Sequence, residues 1–324
     1  MTNLPLQEVQ IIIIDEDRAG QRIDNFLFSR LNRVPKSHVY RLIRTGQVRV
    51  NGKRIKAKYH LLADDKVRIP PIRLKVDDKK VDLDERTTKT LEEAILFEDD
   101  DLLIINKPEG MAVHGGSNIN KGLIDSLKTL RPTVKSLELA HRLDKPTSGC
   151  LILTKKISVL RKIHQQMRDH SIKKCYHVLV DGRWPKSLNK IDVPLKKNTL
   201  RSGERIVRVD NSGKMALTTF NVIATYQDAT FIEARLKTGR THQIRVHCQY
   251  AKHPVIGDHK YMNSEGQKKF KTQYAINRLG LHAYSLEFIH PNTNELLSVT
   301  APYPASFQSA LNNLRDFPKI TAAN

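Results

Sequence analysis

The apolar residues of this chain fall into short runs, and that spacing limits its fold more than any other feature. Beyond Glu92 the runs have the length of strands and are separated by turn residues, while helical spacing of apolar residues occurs over 123–130 and 157–167. The strand-like runs are 95–97, 102–105, 150–153, 178–180, 216–224, 231–236 and 281–288. Strands therefore outnumber helices without alternating strictly with them, which predicts an α+β fold with a mixed or antiparallel sheet.

The chain shows no sign of a membrane or secreted protein. The longest apolar run covers residues 11–14, far short of the roughly 18–20 residues of a membrane span. The first ten residues lack the layout of a secretory signal. Three cysteines, Cys150, Cys175 and Cys248, are widely spaced and odd in number, which excludes a disulfide framework and fits a reducing compartment. We therefore expect a cytoplasmic protein with no membrane partner.

The positive charge of the chain is concentrated in one segment. The 324 residues carry a net charge of +21, and the segment from Arg18 to Pro70 holds fourteen Lys and Arg against three acidic residues. About half of the excess therefore lies in about a sixth of the chain, as in a small basic module attached to a larger body. A surplus of this size predicts a polyanionic partner, and nucleic acid is the default expectation.

The basic segment predicts two helices followed by a hairpin. Apolar residues at helical spacing indicate the helices, and the second ends at Gly46 in a left-handed cap. The Asn51-Gly52 pair predicts a hairpin between 47–50 and 53–55, and 67–69 predicts a further strand. Basic side chains fall on both the second helix and the hairpin, which favours a surface that follows phosphates. The candidate RNA-binding residues are Arg22, Lys36, Arg41, Arg44, Arg49, Lys53 and Arg54.

One loop of the larger body carries residue types that suit a reactive site. The sequence HRLD at 141–144 is followed by Gly149 and an apolar strand, and loops at sheet edges often display reactive side chains. Taken alone, the Arg and Asp could equally form a surface ion pair beside a turn. His141, Asp144 and Ser148 do not predict a hydrolase triad, because no G-x-S-x-G elbow is present.

Several histidines could be mistaken for metal ligands. Their spacing does not match H-E-x-x-H, and the acid of that motif is missing. We therefore expect no metal, and we expect structural or RNA-contacting roles for these residues: His242, His247, Cys248, His253 and His282.

Six segments of the larger body resemble motifs of the RluA-type family of pseudouridine synthases. In chain order they are NKPEG at 106–110 with VH at 113–114, HRLD and TSG within 141–149, KCY at 174–176, TGRTHQIRVH at 238–247, HPVIGD at 253–258 and LHA at 281–283. The stretch VPKSHVYRLIRTGQVRVNGKRI at 34–55 resembles the αL motif of the S-four-type RNA-binding domain. Lys145-Pro146 departs from the Arg-Asp or Lys-Asp that is commoner in the family at this point.

The resemblance implies a fold and an activity. The fold is an α+β pseudouridine synthase catalytic domain with a mixed or antiparallel sheet, preceded by a small αL-motif (S-four-type) RNA-binding domain. The activity is isomerisation of uridine in RNA: the bond from the sugar to the ring nitrogen breaks, and the base is rejoined through ring carbon five. No atoms are added, so we expect no cofactor. The chain also has no GxxxxGK[ST] and no GxGxxG after a strand.

The resemblance also implies roles for particular residues. Asp144 attacks the ribose or assists a proton removal there, and Arg245 is its ion-pair partner. Tyr176 either stacks on the uracil and helps to remove the proton from carbon five, or fills the core as a strand aromatic. Arg142 either occupies the space left by the extruded base or contacts a phosphate. The remaining candidates for the substrate pocket are Leu281, Lys107 and Gln243.

The sequence also predicts where the domains begin and end. Residues 73–90 are rich in charge and poor in apolar residues, as in a linker. We expect an N-terminal extension with a strand at 1–20, the RNA-binding domain at 21–70, a linker at 71–91 and the catalytic domain at 92–324.

The expected partner is large-subunit ribosomal RNA, as a precursor or assembly intermediate, with no DNA and with a monomeric protein. Two alternatives are a non-catalytic ribosome-assembly factor that uses the same basic surface and an RNA methyltransferase. A methyltransferase would need a methyl-donor loop, which the sequence does not show.

Overall fold

The computed structural model describes residues 8–31, 34–72, 83–115, 122–199 and 205–315. The chain divides into two units, Met1–Asp82 and Leu83–Asn324. In the described parts of both units, no helix has both the length and the hydrophobicity that crossing a membrane requires.

The first unit combines a three-stranded antiparallel sheet with two helices. Its elements are β1 (Gln10–Ile13), α1 (Ile23–Arg30), α2 (Lys36–Arg44), β2 (Arg49–Val50) and β3 (Lys66–Ile69). The sheet order is β1-β3-β2, so the last strand in sequence lies in the middle. Both predicted helices are present, and Gly46 follows α2 with a φ of 71°, as the left-handed cap requires. Apolar side chains of α1, α2 and β3 share one buried core.

The predicted hairpin is only partly correct. Asn51 and Gly52 have φ values of 50° and 77°, which confirms the tight turn. The expected return strand over 53–55 is wrong, because beyond a single bridge between Val50 and Lys53 strand β2 pairs with β3. The Asn51 side chain explains this choice: its Oδ1 accepts a hydrogen bond from the Lys66 N–H at 2.8 Å, which attaches the turn to β3.

The second unit contains the remaining eighteen described elements. In chain order they are α3 (Glu85–Glu93), β4 (Ile95–Glu98), β5 (Leu102–Lys107), α4 (Leu123–Leu130), β6 (Glu138–Leu139), β7 (Ser148–Thr154), α5 (Ile157–Arg168), β8 (Lys173–Asp181), β9 (Lys190–Asp192), β10 (Leu195–Thr199), β11 (Arg205–Val209), β12 (Leu217–Thr225), β13 (Ala229–Leu236), α6 (Gln243–Tyr250), α7 (Ser264–Tyr274), β14 (Leu281–Ile289), β15 (Leu296–Thr300) and α8 (Ala305–Arg315). All seven strand-like runs and both helical stretches predicted from the sequence are confirmed.

One large sheet organises the second unit. Its order is β4-β5-β7-β14-β8-β13-β12-β9, with β15 beside β14 and β6 beside β7. Strands β7 and β14 pair in parallel and the other pairs are antiparallel, which confirms the α+β fold with a mixed sheet. Every residue of β7 is buried, as expected for a central strand covered on both faces.

Strands β7 and β14 approach each other closely at Gly149. This glycine has a φ of 111°, and a Cβ built on it would lie 2.2 Å from the carbonyl oxygen of Ala283 on β14. Only glycine tolerates both the backbone angle and the contact. The loop that precedes β7, which carries Asp144, is thereby held beside the segment that enters β14.

Candidate active site

A cavity of about 450 Å³ lies where the loop before β7 meets the segment that enters β14. Its volume falls in the range of small-molecule sites. Five groups of residues line it: Glu109-Gly110, the loop from Arg142 to Pro146, the start of α6, and two segments at 257–260 and 277–279. Asp144, Arg142 and Arg245, which were singled out from the sequence, are all among the lining residues.

The Asp144 carboxylate is held by a guanidinium at the wall of this cavity. Nη1 of Arg245 donates a hydrogen bond to Oδ2 of Asp144 at 2.9 Å, and Nε2 of His242 lies 3.6 Å from the same oxygen. The Asp144 side chain is 16% exposed and that of Arg245 is 4% exposed. The carboxylate is therefore oriented from inside the protein and still reaches the cavity.

Arg245 is fixed by a second carboxylate. Its Nε and Nη2 donate to the two oxygens of Asp258, each at 2.7 Å, in the bidentate geometry that suits a guanidinium. Burial opposes the charge, but hydrogen bonds and the charges of Asp258 and Asp144 outweigh it and raise the pKa of Arg245. The Tyr261 ring lies 5.0 Å from the guanidinium carbon and adds a cation–π contact. Asp144, Arg245 and Asp258 thus form a row of alternating charge.

His242 completes the surroundings of Asp144. It stands at the N-terminal cap of α6 with a φ of 54°, and its Nδ1 is 2.7 Å from the Tyr261 hydroxyl. Burial lowers the pKa of His242, so the imidazole is neutral near pH 7. Arg245 is therefore the cation that balances Asp144.

Tyr176 lies in the core beside the site. It is on β8, opposite Ala283 of β14 and Ala234 of β13, and is 8% exposed. Burial, followed by the charge of Asp144, raises the pKa of its hydroxyl well above the usual range. The phenol is therefore protonated at neutral pH and close enough to Asp144 to sense its charge.

The three predicted pocket residues lie outside the set that lines the cavity. Leu281 is 4% exposed and belongs to the core cluster of Tyr176. Gln243 is buried, and its amide donates to the Leu217 carbonyl at 3.0 Å and to the Thr218 hydroxyl at 2.9 Å. Contact of Leu281, Gln243 or Lys107 with a bound uridine stays a prediction.

Lys107 braces the loop that carries Asp144. Its Nζ donates to the carbonyl oxygens of Pro108 at 2.7 Å, Met111 at 2.9 Å and Lys145 at 3.2 Å. The side chain is fully buried, and burial lowers its pKa to about 7. Because Lys145 directly follows Asp144, this amine fixes the backbone next to the carboxylate.

The sequence of this chain matches two known protein families. A family model described as RNA pseudouridylate synthase matches residues 101–250, and a model of the S4 domain matches residues 21–67. The chain is 48% identical over 315 residues to "Ribosomal large subunit pseudouridine synthase C" of Pasteurella multocida, covering 96% of this chain and 95% of that protein. The chain belongs to the RNA pseudouridylate synthase family. It is therefore a pseudouridine synthase, an enzyme that acts on RNA, with an S-four-type domain in front.

A second relative and a solved structure support membership of the same family. The Escherichia coli (strain K12) protein of the same name is 47% identical over 310 residues, which cover 95% of this chain and 97% of that protein. Among solved structures, human RNA Pseudouridylate Synthase Domain Containing 4 is 27% identical with a TM-score of 0.57, over 70% of this chain and 95% of that one.

Sequence reasoning did not assign three residues that shape this synthase site. Asp258 was visible only as part of the HPVIGD motif with no role attached, and His242 was expected only to have a structural or RNA-contacting role. Arg278 lines the cavity, forms an ion pair with Glu109 and donates to the Ser148 hydroxyl at 2.9 Å. No motif quoted from the sequence included it.

Ser148 and His141, which were set aside as members of a hydrolase triad, have other hydrogen-bond partners. Ser148 Oγ lies 2.9 Å from Nδ1 of His282, while Nε2 of His141 accepts a hydrogen bond from the Ile152 N–H at 3.1 Å. His141 and Ser148 therefore do not form a triad with Asp144. Burial lowers the pKa of His282 and of His247 to about 4, which keeps both rings neutral.

One group in the described part of the chain has the spacing of metal ligands. It consists of Cys175, His177 and Glu233, not of the histidines considered from the sequence. The Cys175 thiol donates to Oε2 of Glu233 at 3.2 Å, and Oε1 of the same carboxylate accepts from Nε of Arg235 at 2.7 Å.

The basic face of the first unit is more positive than its composition suggests. Two of the three acidic residues in the segment 18–70 are buried: Asp24 is 1% exposed and Asp65 is 4% exposed. Arg22 is used internally, because its Nη2 donates to Asp24 at 2.6 Å. The other six candidate RNA-binding residues are all exposed: Lys36, Arg41, Arg44, Arg49, Lys53 and Arg54.

Proposed function

We propose that this synthase converts specific uridines of large-subunit ribosomal RNA to pseudouridine in the cytoplasm, as a monomer acting on a precursor or assembly intermediate. The observation that carries the proposal is the Asp144 carboxylate, held by Arg245 at the wall of a cavity large enough for a nucleoside. The relatives that match nearly the whole chain are named for the large ribosomal subunit, which supports large-subunit ribosomal RNA as the substrate.

The reaction needs access to a sugar that is normally inside a helix. The uridine leaves its stack and enters the cavity, and the exposed Arg142 occupies the space that the base vacates. Asp144 then attacks the ribose carbon or removes a ribose proton, and the bond from the sugar to the ring nitrogen breaks. The base turns and carbon five bonds to the sugar, which releases Asp144 from the sugar or returns the ribose proton that it took. Carbon five then loses its proton, and the ring nitrogen freed from the sugar takes one up. Atoms and charge balance without a second substrate.

Tyr176 contributes to the later steps as a neutral phenol. Because the pKa of its hydroxyl is raised, a free phenolate is not the base that takes the proton from carbon five near pH 7. The ring supplies a flat apolar surface for the uracil, and the hydroxyl can pass the proton on as a hydrogen-bonded relay. Leu281 lies in the same core cluster and supports that surface.

A tritium assay tests the proposed function. Large-subunit RNA labelled with tritium at carbon five of uridine is incubated with the protein and no added cofactor. We expect release of tritium in step with formation of pseudouridine, and the same positions should be unmodified in RNA from cells that lack the gene. Binding without release would favour the assembly factor, and release that depends on an added methyl donor would favour the methyltransferase.

The exposed basic residues of the first unit should contribute to the salt dependence of RNA binding. Replacing Arg41 and Arg44 together by Gln should flatten the salt dependence of RNA affinity, lowering the log–log slope by about 1.4–1.8 for two lost phosphate contacts. Binding to large-subunit RNA is measured across a range of salt concentrations. The matched control replaces both residues by Lys, which keeps the charge and should keep the slope. An unchanged slope in the Gln variant would mean that these two residues do not contact phosphates.

A further inference from the structure

A second cavity, of about 290 Å³, lies near the active site and is lined by cations. It is formed by the end of α5, the start of β8 and the loop that precedes α6. Its charged lining residues are Arg168, Lys174, Lys237 and Arg240, with His170 beside them. No acidic residue is among those that line it.

The four cations are not neutralised within the described part of the chain. None of them forms an ion pair there, and the acceptors they do contact are neutral. Arg168 Nε donates to the Gln165 side chain, and Arg240 Nε donates to the Met215 carbonyl, each at 3.2 Å. The nearest acid in sequence, Asp169, has both oxygens bound by the Gln165 amide, at 2.8 and 2.9 Å.

Lys174 is the most enclosed of the four. It is half-buried, and burial lowers its pKa, whereas the other three are exposed. It lines the cavity beside Gly239, and its Nζ is 3.9 Å from the position that a Cβ at 239 would take, an ordinary contact distance, so the ammonium group faces the open space next to this loop. A partly desolvated cation with open space in front of it is suited to an anion.

Two elements connect this cavity to the catalytic residues. Lys174 and Tyr176 point to the same face of β8 and are separated by about 7 Å, the distance between alternate residues of a strand. The loop of Arg240 leads directly into His242, which lies 3.6 Å from Asp144. The Arg240 N–H donates to Gln243 at 2.9 Å and fixes that loop to α6.

We propose that this cavity binds a backbone phosphate of the substrate RNA strand, within a few nucleotides of the uridine that enters the active-site cavity. The inference rests on the proposed function for the identity of the strand. A phosphodiester offers one negative charge and two free oxygens, which a Lys ammonium and an Arg guanidinium bind together. Such a contact fixes the position of the strand without reading its sequence.

The test combines a protein variant with an RNA in which single phosphates carry no charge. The RNA is a fragment around a mapped target uridine, with one methylphosphonate placed at each of three positions on either side. For the wild-type protein, one position should raise KM about tenfold. Lys237→Gln should raise KM about tenfold with unmodified RNA, change kcat little, and abolish the extra cost of the methylphosphonate at that same position.

Controls keep the outcomes distinct. Lys268→Gln removes an exposed lysine on α7 and should leave KM and the methylphosphonate pattern unchanged. Arg168→Gln repeats the test if Lys237→Gln does not fold. An unchanged KM in both cavity variants, or penalties that simply add at every position, overturns the proposal. Competition by inorganic phosphate without any positional coupling would mean a free-anion site and would also overturn it.

A failure of the proposed function can be distinguished from a failure of the phosphate site. If the wild-type protein releases no tritium from any RNA, the same set of RNAs is used to measure Kd instead of KM. Loss of the positional effect on Kd in Lys237→Gln would then support the cavity as a phosphate site, although the reaction assigned to the protein would be wrong.

Discussion

Replacing Asp144 by Asn should lower the rate of tritium release at least about 10⁴-fold, the size of loss seen when a nucleophile is removed from an enzyme. The amide has nearly the shape of the carboxylate, and its oxygen can still accept the hydrogen bond from Arg245. It cannot attack a sugar carbon or take up a proton. Because phosphate contacts supply most of the RNA affinity, binding should be roughly unchanged.

Two measurements make this prediction specific. Turnover is followed by tritium release, and binding by titration of the same RNA. Asp100→Asn, which alters an exposed aspartate of the same unit, should leave both values unchanged. If Asp144→Asn retained turnover within tenfold of the wild type, Asp144 would not be the catalytic group.

Removal of Arg245 should cost both activity and stability. Its guanidinium serves two carboxylates at once, through Nη1 to Asp144 and through Nε and Nη2 to Asp258. Arg245→Met leaves two acids next to each other in a largely buried site, so we expect a loss of about 3–5 kcal/mol in the free energy of unfolding. We also expect a fall in kcat of about 10³-fold, because Asp144 is no longer oriented.

Conservative and double variants separate these two effects. A Lys at 245 carries the charge but cannot reach both carboxylates, so Arg245→Lys should recover part of the stability and little of the activity. Combining Asp144→Asn with Arg245→Met should cost less stability than the two changes added together, because one buried charge is gone. Arg235→Met removes an arginine that is 63% exposed from its ion pair with Glu233; it is the matched control and should cost less than about 1 kcal/mol. Additive losses in the double variant would contradict the coupled network.

The sequence predicted the elements of the fold better than their pairing. Short apolar runs identified the strands because the pattern of apolar residues along a strand can be recognised from neighbouring positions in the sequence. The Asn51-Gly52 turn was also a local property, since φ values above zero favour these residues. The pairing of β2 with β3 is not a local property. Strand β3 is distant in sequence, and the pairing depends on the hydrogen bond from the Lys66 N–H to the Asn51 side chain.

The same difference between local and long-range properties applies to the candidate site. The HRLD segment alone left a surface ion pair open, and Asp144 and Arg245 could be named because HRLD and RTHQIR resemble motifs of the family. The bidentate contact with Asp258 and the position of Arg278 arise only after β7, β14 and β8 lie side by side. Lys107 was assigned to the pocket from its motif, whereas its three bonds to carbonyl oxygens reveal a bracing role.

The contact at Gly149 has a consequence for how this enzyme can diverge. The distance between the loop of Asp144 and the segment entering β14 is set by main-chain atoms, since the glycine hydrogen faces the carbonyl of Ala283. Residues on the cavity wall can therefore be exchanged while the spacing of these two backbone segments stays the same. Mutation of the wall can change which RNA is accepted, whereas the position of the Asp144 loop beside β14 is inherited with the backbone.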